Sequence, residues 1–201
     1  MTKPWNMAKE YKTRRPIDSL SEEEEKKFED PENFKSSRNW LLCYLPLKTG
    51  LRPGEVLSLD TKDLLYQGEV VRELELRADQ TKRSKPRYIP ISEQLREILH
   101  AYIVGNWPGQ QAQEIDHPLF PGATKINRLT IRRYQQIVRK KALDLIGREI
   151  HPHIFRHTFA TRIMRKAGIK ITQRLLGHST IWTTSIYLHP NKDDLRQAVE
   201  E

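Results

Sequence analysis

One short stretch of strand-like residues inside an otherwise helical chain does most to limit the possible folds. Residues 64–66, 70–76 and 87–91 have the composition and length of short strands, and the polar stretches 67–69 and 80–85 between them are typical of turns. Successive strands joined by short turns pair antiparallel. We therefore predict one small three-stranded antiparallel sheet.

The remainder of the chain shows the signals that begin and end helices. Ser21 followed by Glu24 is the pattern of a capping box, so a helix is expected to start there. A second helix is predicted over residues 34–48, with Gly50 stopping it, and Pro53 suits the first turn of a short third helix. Further helices are predicted after Ser92 and over residues 130–146, 153–166, 172–176 and 181–187.

The predicted helix over residues 130–146 follows a long loop and has one clear apolar face. Residues 105–128 are rich in Gly, Pro and Gln, which favours a loop over a regular element. The side chains expected to face the core are Ile131, Tyr134, Ile137, Val138 and Leu145. Taken together, the elements predict an α+β fold that is mostly α-helical, with the small three-stranded antiparallel sheet.

A strongly basic balance points to a polyanionic partner. The 201 residues include 35 Lys and Arg against 26 Asp and Glu, a formal net charge of +9, which most simply indicates nucleic acid. Cys43 is the only cysteine, so we expect a buried thiol and a reducing compartment. Because neither a leader pattern nor an apolar run of membrane-spanning length is found, the chain is predicted to be cytoplasmic or, in a eukaryote, nuclear.

Three segments follow from this organisation. Residues 1–16 are basic and predict a flexible arm, which either contacts nucleic-acid phosphates or is simply a disordered terminus. Residues 17–190 are expected to form one domain, without a cut point for a second. Residues 191–201 predict a tail helix that docks in cis or in trans, because so short a helix is unstable alone in water.

The residues with the most distinctive chemistry lie near the C-terminus. Residues 153–157 read His-Ile-Phe-Arg-His, residues 175–178 read Leu-Leu-Gly-His, and residues 183–187 read Thr-Thr-Ser-Ile-Tyr. Arginine binds phosphate through a planar fork of donors, imidazole moves protons near neutral pH, and a phenol can act as a covalent nucleophile. On a basic protein, this combination predicts a site in which Tyr187 attacks a phosphodiester.

The chain resembles the tyrosine recombinase family, the phage-integrase type of site-specific DNA recombinase, over residues 17–195. Besides the three segments above, the matching motifs are residues 49–55, Thr-Gly-Leu-Arg-Pro-Gly-Glu, and residues 81–91, which begin Thr-Lys and end Pro-Ile. All five motifs occur in the family's order, with nine residues from His178 to Tyr187. The resemblance implies the fold of a tyrosine recombinase catalytic domain.

The resemblance also implies a role for each residue of the reaction. Arg52 and Arg156 resemble the two arginines that clamp the scissile phosphate, and His178 resembles the histidine that hydrogen-bonds a phosphate oxygen. Tyr187 resembles the nucleophile. Lys82 resembles the lysine that protonates the leaving 5′ oxygen, although Lys85 on the same predicted turn is the alternative.

Further residues are expected to support that reaction. His153 resembles the histidine that assists proton transfer at the tyrosine, whereas His157 and Glu55 resemble residues with a supporting role. Arg83, Lys85 and Arg87 are predicted to bind DNA, although such a basic run is also typical of a solvated hairpin tip.

No metal and no cofactor are predicted for this chemistry. Two arginines and a histidine can stabilise the charge on a five-coordinate phosphorus, and a 3′-phosphotyrosine keeps the energy of the phosphodiester, so neither a metal nor ATP is needed. A zinc site at His151, His153 and His157 is disfavoured because thiolates and a matching carboxylate are absent. The expected partner is double-stranded DNA, with self-association on DNA left open, and we predict no membrane and no small-molecule substrate.

Two other functions remain to be separated from recombination. Residues 169–187 could form a helix-turn-helix of a DNA-binding module, which would have no need for Arg52, Lys82, Arg156 and Tyr187. A type IB topoisomerase would share the chemistry but relax supercoils. Family members usually have an N-terminal clamp domain, which we expect to be absent here, either removed or naturally missing, because only about fifty residues precede Arg52.

Overall fold

The computed structural model describes residues 18–77, 86–106, 117–124 and 126–187, and the fold within these ranges is mostly helical. The helices are α1 (Glu22–Glu29), α2 (Ser37–Thr49), α3 (Pro53–Ser58), α4 (Thr61–Leu64), α5 (Glu93–Asn106), α6 (Ile131–Ile146), α7 (His153–Leu176) and α8 (Ile181–Ser185), with a turn of 3-10 helix at Pro31–Asn33. The strands are β1 (Leu65–Tyr66), β2 (Glu69–Val70), β3 (Glu73–Leu76) and β4 (Arg87–Pro90).

Local signals place the ends of the first three helices where the sequence predicts them. Ser21 Oγ accepts a hydrogen bond from the N–H of Glu24, whose carboxylate accepts one from the N–H of Ser21, so the capping box of α1 is complete. Gly50 ends α2 in the left-handed conformation at φ +68°. Pro53 opens α3, where the missing N–H of proline removes no helical hydrogen bond.

The strands are antiparallel, but the predicted three-stranded sheet is wrong in its arrangement. In the part of the chain that the structure describes, the strands form two separate two-stranded sheets, β1 with β2 and β3 with β4. The predicted strand over residues 70–76 divides at residues 71–72. Val70, Leu74 and Leu76 are buried, but Arg72 occupies the intervening position that would face the core and is exposed instead. The chain therefore changes partner from β1 to β4 at that point.

The main core is formed by α2 and the elements around it. Tyr134 of α6 is fully buried, and its hydroxyl donates to the carbonyl of Leu42 at 2.6 Å, so α6 is anchored to α2 by a polar bond inside the core. Ile131, expected to face inward, is 46% exposed, so the core does not cover the first residue of α6. Val138 is buried and Ile137 and Leu145 pack at the edge, as predicted.

Helix α7 consists of two helical pieces that meet at Gly168. The helical residues run from His153 to Leu176 on both sides of Gly168, which has φ +74° and ψ 179°, far from helical values. The predicted helix end at Gly168 is therefore confirmed as a break in the backbone rather than a full stop. Phe159, Ala160, Met164, Leu176 and Tyr187 form a second, smaller hydrophobic cluster around this part of the molecule.

Some predictions fall outside the described residues. These are the N-terminal arm over residues 1–16, the turn over residues 80–85, residues 107–116 and 125 of the loop predicted over 105–128, and the tail over residues 191–201. The first two residues of that predicted loop, 105–106, instead end α5. Residues 117–124 and 126–128 are described, and in them Pro118 bridges to Asp60 and Pro121 bridges to Arg128. None of the helices in the described ranges is long and apolar enough to cross a membrane.

Candidate active site

Glu55 is the residue around which the site is assembled. It lies in the first turn of α3 and is 2% exposed. Its Oε1 accepts a hydrogen bond from Arg52 Nη1, and its Oε2 accepts from Arg87 Nη2 and from the backbone N–H of Arg52, each at 2.7 Å. Arg156 Nη1 lies 3.9 Å from the same carboxylate. One buried carboxylate thus orients three guanidinium groups, and we call Arg52, Glu55, Arg87 and Arg156 the arginine cluster.

Arg156 is fixed by backbone carbonyls from two other segments. Its Nη1 donates to the carbonyl of Gly50 at 2.5 Å, and its Nη2 donates to the carbonyl of Leu176 at 2.7 Å. Burial, reinforced by the charges of Arg52 and Arg87, lowers the pKa of Arg156 to about 9. Because that value is still above neutral, Arg156 keeps its positive charge at physiological pH.

Arg87 shares the Glu55 carboxylate with Arg52 and Arg156, and it joins β4 to the end of α7. Its side chain is 9% exposed, and its Nη1 donates to the carbonyl of Leu176, which therefore accepts from two arginines. Gly177 caps α7 at φ +63°, and a Cβ there would lie 2.8 Å from Arg87 Cδ, so glycine permits both the turn and the close approach. The DNA-binding role of Arg87 stays a prediction, but its buried head group favours positioning of the cluster.

His178 faces Arg156 across the open side of the cluster. Arg156 Nη2 lies 3.1 Å from His178 Nε2, and His178 Nδ1 lies 3.0 Å from Thr184 Oγ1. An arginine only donates, so Nε2 accepts here and Nδ1–H donates to the hydroxyl. A hydroxyl also donates, so the imidazole can exchange tautomers and present Nε2–H to an anion without losing its bond to Thr184.

Tyr187 lies at the other edge of the site, next to two imidazoles. Its ring stacks on His178 with centroids 6.5 Å apart and an angle of 9°, and its hydroxyl is 2.9 Å from His157 Nδ1. The residue is 6% exposed. Burial raises the pKa of the Tyr187 phenol, while the positive charges of Arg156 and Arg52 oppose that rise.

Three histidines lie side by side from solvent to the phenol. The ring of exposed His151 is 6.1 Å from that of His153, which is 6.3 Å from that of His157. Burial is the first cause that lowers the pKa of His153 and of His157, the latter to about 4, and neighbouring histidines add to both shifts. Both are therefore neutral imidazoles at physiological pH.

The backbone adds to the attraction that the arginines exert on an anion. His153 and Arg156 lie in the first turn of α7, where the helix dipole and unpaired N–H groups favour negative charge. Arg52 is the most exposed of the three clustered arginines, with 28% of its side chain accessible. A phosphate approaching from solvent would therefore meet Arg52 and the start of α7 together.

The structure brings together most of the residues that the sequence singled out. Arg52, Glu55, His153, Arg156, His157, His178 and Tyr187 line one region. Lys82, Arg83 and Lys85 lie outside the described residues, so their roles stay predictions.

Sequence reasoning missed several contributions to the site. Thr184, fully buried at the back of His178, was noted only as part of a motif. The carbonyls of Gly50 and Leu176 also act as acceptors, and no side-chain pattern can indicate a backbone acceptor. Within the described ranges, no group of three His, Cys, Asp or Glu side chains is arranged to hold a metal ion.

Fold and site together define a mostly helical domain in which three arginines around a buried carboxylate lie beside several imidazoles and a buried phenol. The model of the phage integrase family matches residues 19–194. The chain therefore belongs to the phage integrase family.

Curated relatives include tyrosine recombinases from several prokaryotes. A tyrosine recombinase of Pseudothermotoga lettingae is 36% identical over 159 residues, which cover 78% of this chain and 51% of the relative. Tyrosine recombinase XerC of Azotobacter vinelandii is 34% identical over 159 residues, covering 79% of this chain and 50% of the relative. The chain thus spans about half the length of the curated relatives it matches.

Solved structures show the same fold. The XerH site-specific recombinase bound to its difH substrate superposes with a TM-score of 0.70 at 26% identity, covering 94% of this chain and 56% of that one. The catalytic domain of bacteriophage HP1 integrase gives a TM-score of 0.59 at 25% identity, covering 90% of this chain and 93% of that domain. The predicted fold class is confirmed, with the correction to the strand arrangement given above.

Proposed function

We propose that this chain cleaves and rejoins double-stranded DNA as the catalytic part of a site-specific recombinase, with Tyr187 as the nucleophile. The supporting observation is the convergence of Arg52, Arg156 and His178 beside the Tyr187 phenol. The names of the relatives and the XerH complex with difH support DNA as the substrate. A helix-turn-helix module would have no use for arginines buried around Glu55.

The arginines supply the binding energy for the transition state. As Tyr187 attacks, phosphorus becomes five-coordinate and the nonbridging oxygens gain negative charge. Arg52 and Arg156 are held in place by Glu55 and by backbone carbonyls before the substrate arrives, so little reorganisation is needed. His178 exchanges its bond with Arg156 for a bond from Nε2–H to a phosphate oxygen.

Departure of the 5′ oxygen requires a proton. Lys82 is proposed as the acid, with Lys85 as the alternative; both lie outside the described residues. A 5′-bridging phosphorothiolate provides a leaving group that needs no proton. It is expected to restore cleavage by Lys82→Ala but not by Arg156→Ala, whereas rescue of Lys85→Ala instead would transfer the role to Lys85.

The central experiment is trapping of a covalent adduct. The protein is incubated with a nicked suicide duplex, and the denatured mixture is analysed for protein attached to DNA. Tyr187→Phe is expected to abolish the adduct while leaving DNA affinity nearly intact, since the ring and its packing are kept. Binding without any adduct from the unaltered protein would favour the DNA-binding module instead.

The conditions of the same assay test the rest of the proposal. Cleavage is expected to persist in excess EDTA, because positive side chains replace a metal; strict dependence on magnesium would indicate a nuclease.

Each phosphate contact contributes a slope of roughly −0.9 in log affinity against log salt, so DNA binding should weaken steeply with salt. Relaxation of a supercoiled plasmid without strand exchange would point to topoisomerase activity. Self-association on DNA and a cytoplasmic location stay predictions.

A further inference from the structure

The hydrogen bond between Tyr187 and His157 identifies a partner for the nucleophile's proton. The Tyr187 hydroxyl lies 2.9 Å from His157 Nδ1, and the two ring centroids are 5.8 Å apart. Among the described side chains, the phenol has this hydrogen bond and none to His153, although His153 is the histidine that the family resemblance links to the tyrosine. His153 and His157 are four residues apart on one face of α7, so only one of them reaches the phenol.

We infer that His157 is a catalytic residue that accepts the Tyr187 proton through Nδ1 during DNA cleavage and returns it during rejoining. This inference rests on the proposed function and adds an acceptor for a proton that Arg52 and Arg156 cannot take, because an arginine only donates. His178 is unsuited to the same task, since its two ring nitrogens face Arg156 and Thr184.

The step balances in atoms and charge. The Tyr187 oxygen forms a bond to phosphorus, the bond from phosphorus to the 5′ oxygen breaks, and the phenol proton moves to His157 Nδ1. A separate acid, proposed above as Lys82, protonates the 5′ oxygen. In rejoining, a 5′ hydroxyl attacks the phosphotyrosine and its proton passes to the deprotonated acid, proposed above as Lys82, while His157 gives its proton back to the departing phenolate.

The surroundings of His157 keep its imidazole neutral, as a proton acceptor must be. Burial first, and then His153, His151 and Arg156, lower the pKa of His157 to about 4, with Asp18 acting in the opposite direction. The imidazole is therefore neutral and has a free lone pair at physiological pH. Because burial also raises the pKa of Tyr187, the proton stays on the phenol in the resting site and moves only as the bond to phosphorus forms.

Substitution with asparagine separates proton transfer from simple positioning. The amide oxygen of His157→Asn can accept the hydrogen bond near the place of Nδ1 but cannot take the proton. Single-turnover cleavage of the suicide duplex is expected to slow by roughly 10²- to 10⁴-fold in both His157→Asn and His157→Ala, with DNA affinity unchanged. His151→Asn, an exposed member of the same row, is the control and should stay within a few-fold of the unaltered protein.

Two further experiments on the His157 variants identify the step at which His157 acts. The 5′-bridging phosphorothiolate should not rescue either His157 variant, because the defect is at the nucleophile; rescue would place His157 at the leaving group and overturn the assignment. Free imidazole should restore part of the activity of His157→Ala, whereas the filled space in His157→Asn should resist it. Cleavage by His157→Asn at the unaltered rate would reduce His157 to a positioning residue.

The outcomes also separate this inference from the proposed function. If the unaltered protein forms no adduct, the proposed function fails. If it forms a Tyr187 adduct and His157→Asn forms it equally fast, only the role of His157 fails. Circular dichroism of each variant establishes that the loss of rate is not a loss of fold.

Discussion

Arg52 and Arg156 adjoin fully buried residues of the main core, whereas Tyr187 belongs to a separate and much smaller cluster. Leu51 and Phe155, next to the two arginines, are fully buried in the main core. We call residues 169–187, which follow the break in α7, the tyrosine segment. Its buried apolar contacts come from the small cluster, and α8 is five residues long. The half of the site that contains Arg52 and Arg156 is thus stabilised by long-range packing and the half that contains Tyr187 by a few contacts, so the two halves should respond differently to substitution.

The largest effect is expected at Gly50, where the two regions meet. A Cβ at Gly50 would lie 2.4 Å from Phe159 Cδ1, and the residue has φ +68°. Gly168 also has a positive φ, but a Cβ there has open space. The positive φ alone should cost each alanine variant roughly 1–3 kcal/mol of unfolding free energy. Overpacking against Phe159 should add about 1–3 kcal/mol for Gly50→Ala, so that urea unfolding should find it less stable than Gly168→Ala by that amount. Equal losses would show that Phe159 moves freely and that the contact is loose.

The next effect concerns the buried ion pair of the arginine cluster. Arg87→Gln leaves Glu55 with one fewer charged partner and is expected to cost about 3 kcal/mol of unfolding free energy. Arg139 pairs with Glu149 on the surface, where Arg139 is 63% exposed, and Arg139→Gln should cost less than about 1 kcal/mol. Chemical denaturation of both variants provides the comparison; similar small losses would mean that Arg52 and Arg156 fully compensate for Arg87.

A smaller effect follows from the pH dependence of the tyrosine site. His157 has its pKa lowered from 6.5 to about 4, so the unfolded chain binds the extra proton first as pH falls. Folding stability is therefore complete above pH 6.5 and declines between 6.5 and 4. After allowance for partial exposure, this amounts to roughly 1–2 kcal/mol. His157→Asn should flatten the slope in that window, and an unchanged slope would assign it to other groups.

The smallest effect is expected on the outer face of the tyrosine segment. Trp182 of α8 is 84% exposed, so Trp182→Ala should change stability by less than about 0.5 kcal/mol. Met164 is buried in the small cluster, and Met164→Ala should cost at least about 2 kcal/mol. Thermal unfolding of the Trp182→Ala and Met164→Ala variants provides the comparison. A large loss of stability in Trp182→Ala would show that the small hydrophobic cluster includes this exposed side chain.

The sequence predicted the parts of the fold that depend on neighbouring residues. Gly50, Pro53 and the Ser21 capping box are local signals, and each ends or begins a helix as expected. The division of the sheet at Arg72 was missed because a strand-like composition does not reveal which partner each half will choose. Ile131 was misplaced because periodicity gives the direction of a side chain but not the extent of the surface covering it.

The candidate site was predictable in its members but not in its connections. Family motifs named Arg52, Arg156, His178 and Tyr187 without any geometry. The contact of His157 with Tyr187 joins residues 30 positions apart and depends on how α8 folds back onto α7. Arg87 likewise bridges distant residues, since it bonds both Glu55 and the Leu176 carbonyl. The sequence shows only an arginine beside a basic turn, and for that reason it predicts a surface, DNA-binding role.

The break at Gly168 turns the second piece of α7 into a lever. At a rise of 1.5 Å per residue, Leu176 lies about 12 Å from Gly168, so a swing of about 10° moves the Leu176 carbonyl by roughly 2 Å. That displacement exceeds what a 2.7 Å hydrogen bond tolerates. The bonds from Arg156 and Arg87 to this one carbonyl therefore hold the lever in place, so that the orientation of these two arginines and the angle of the helix piece that leads to Tyr187 depend on the same oxygen atom.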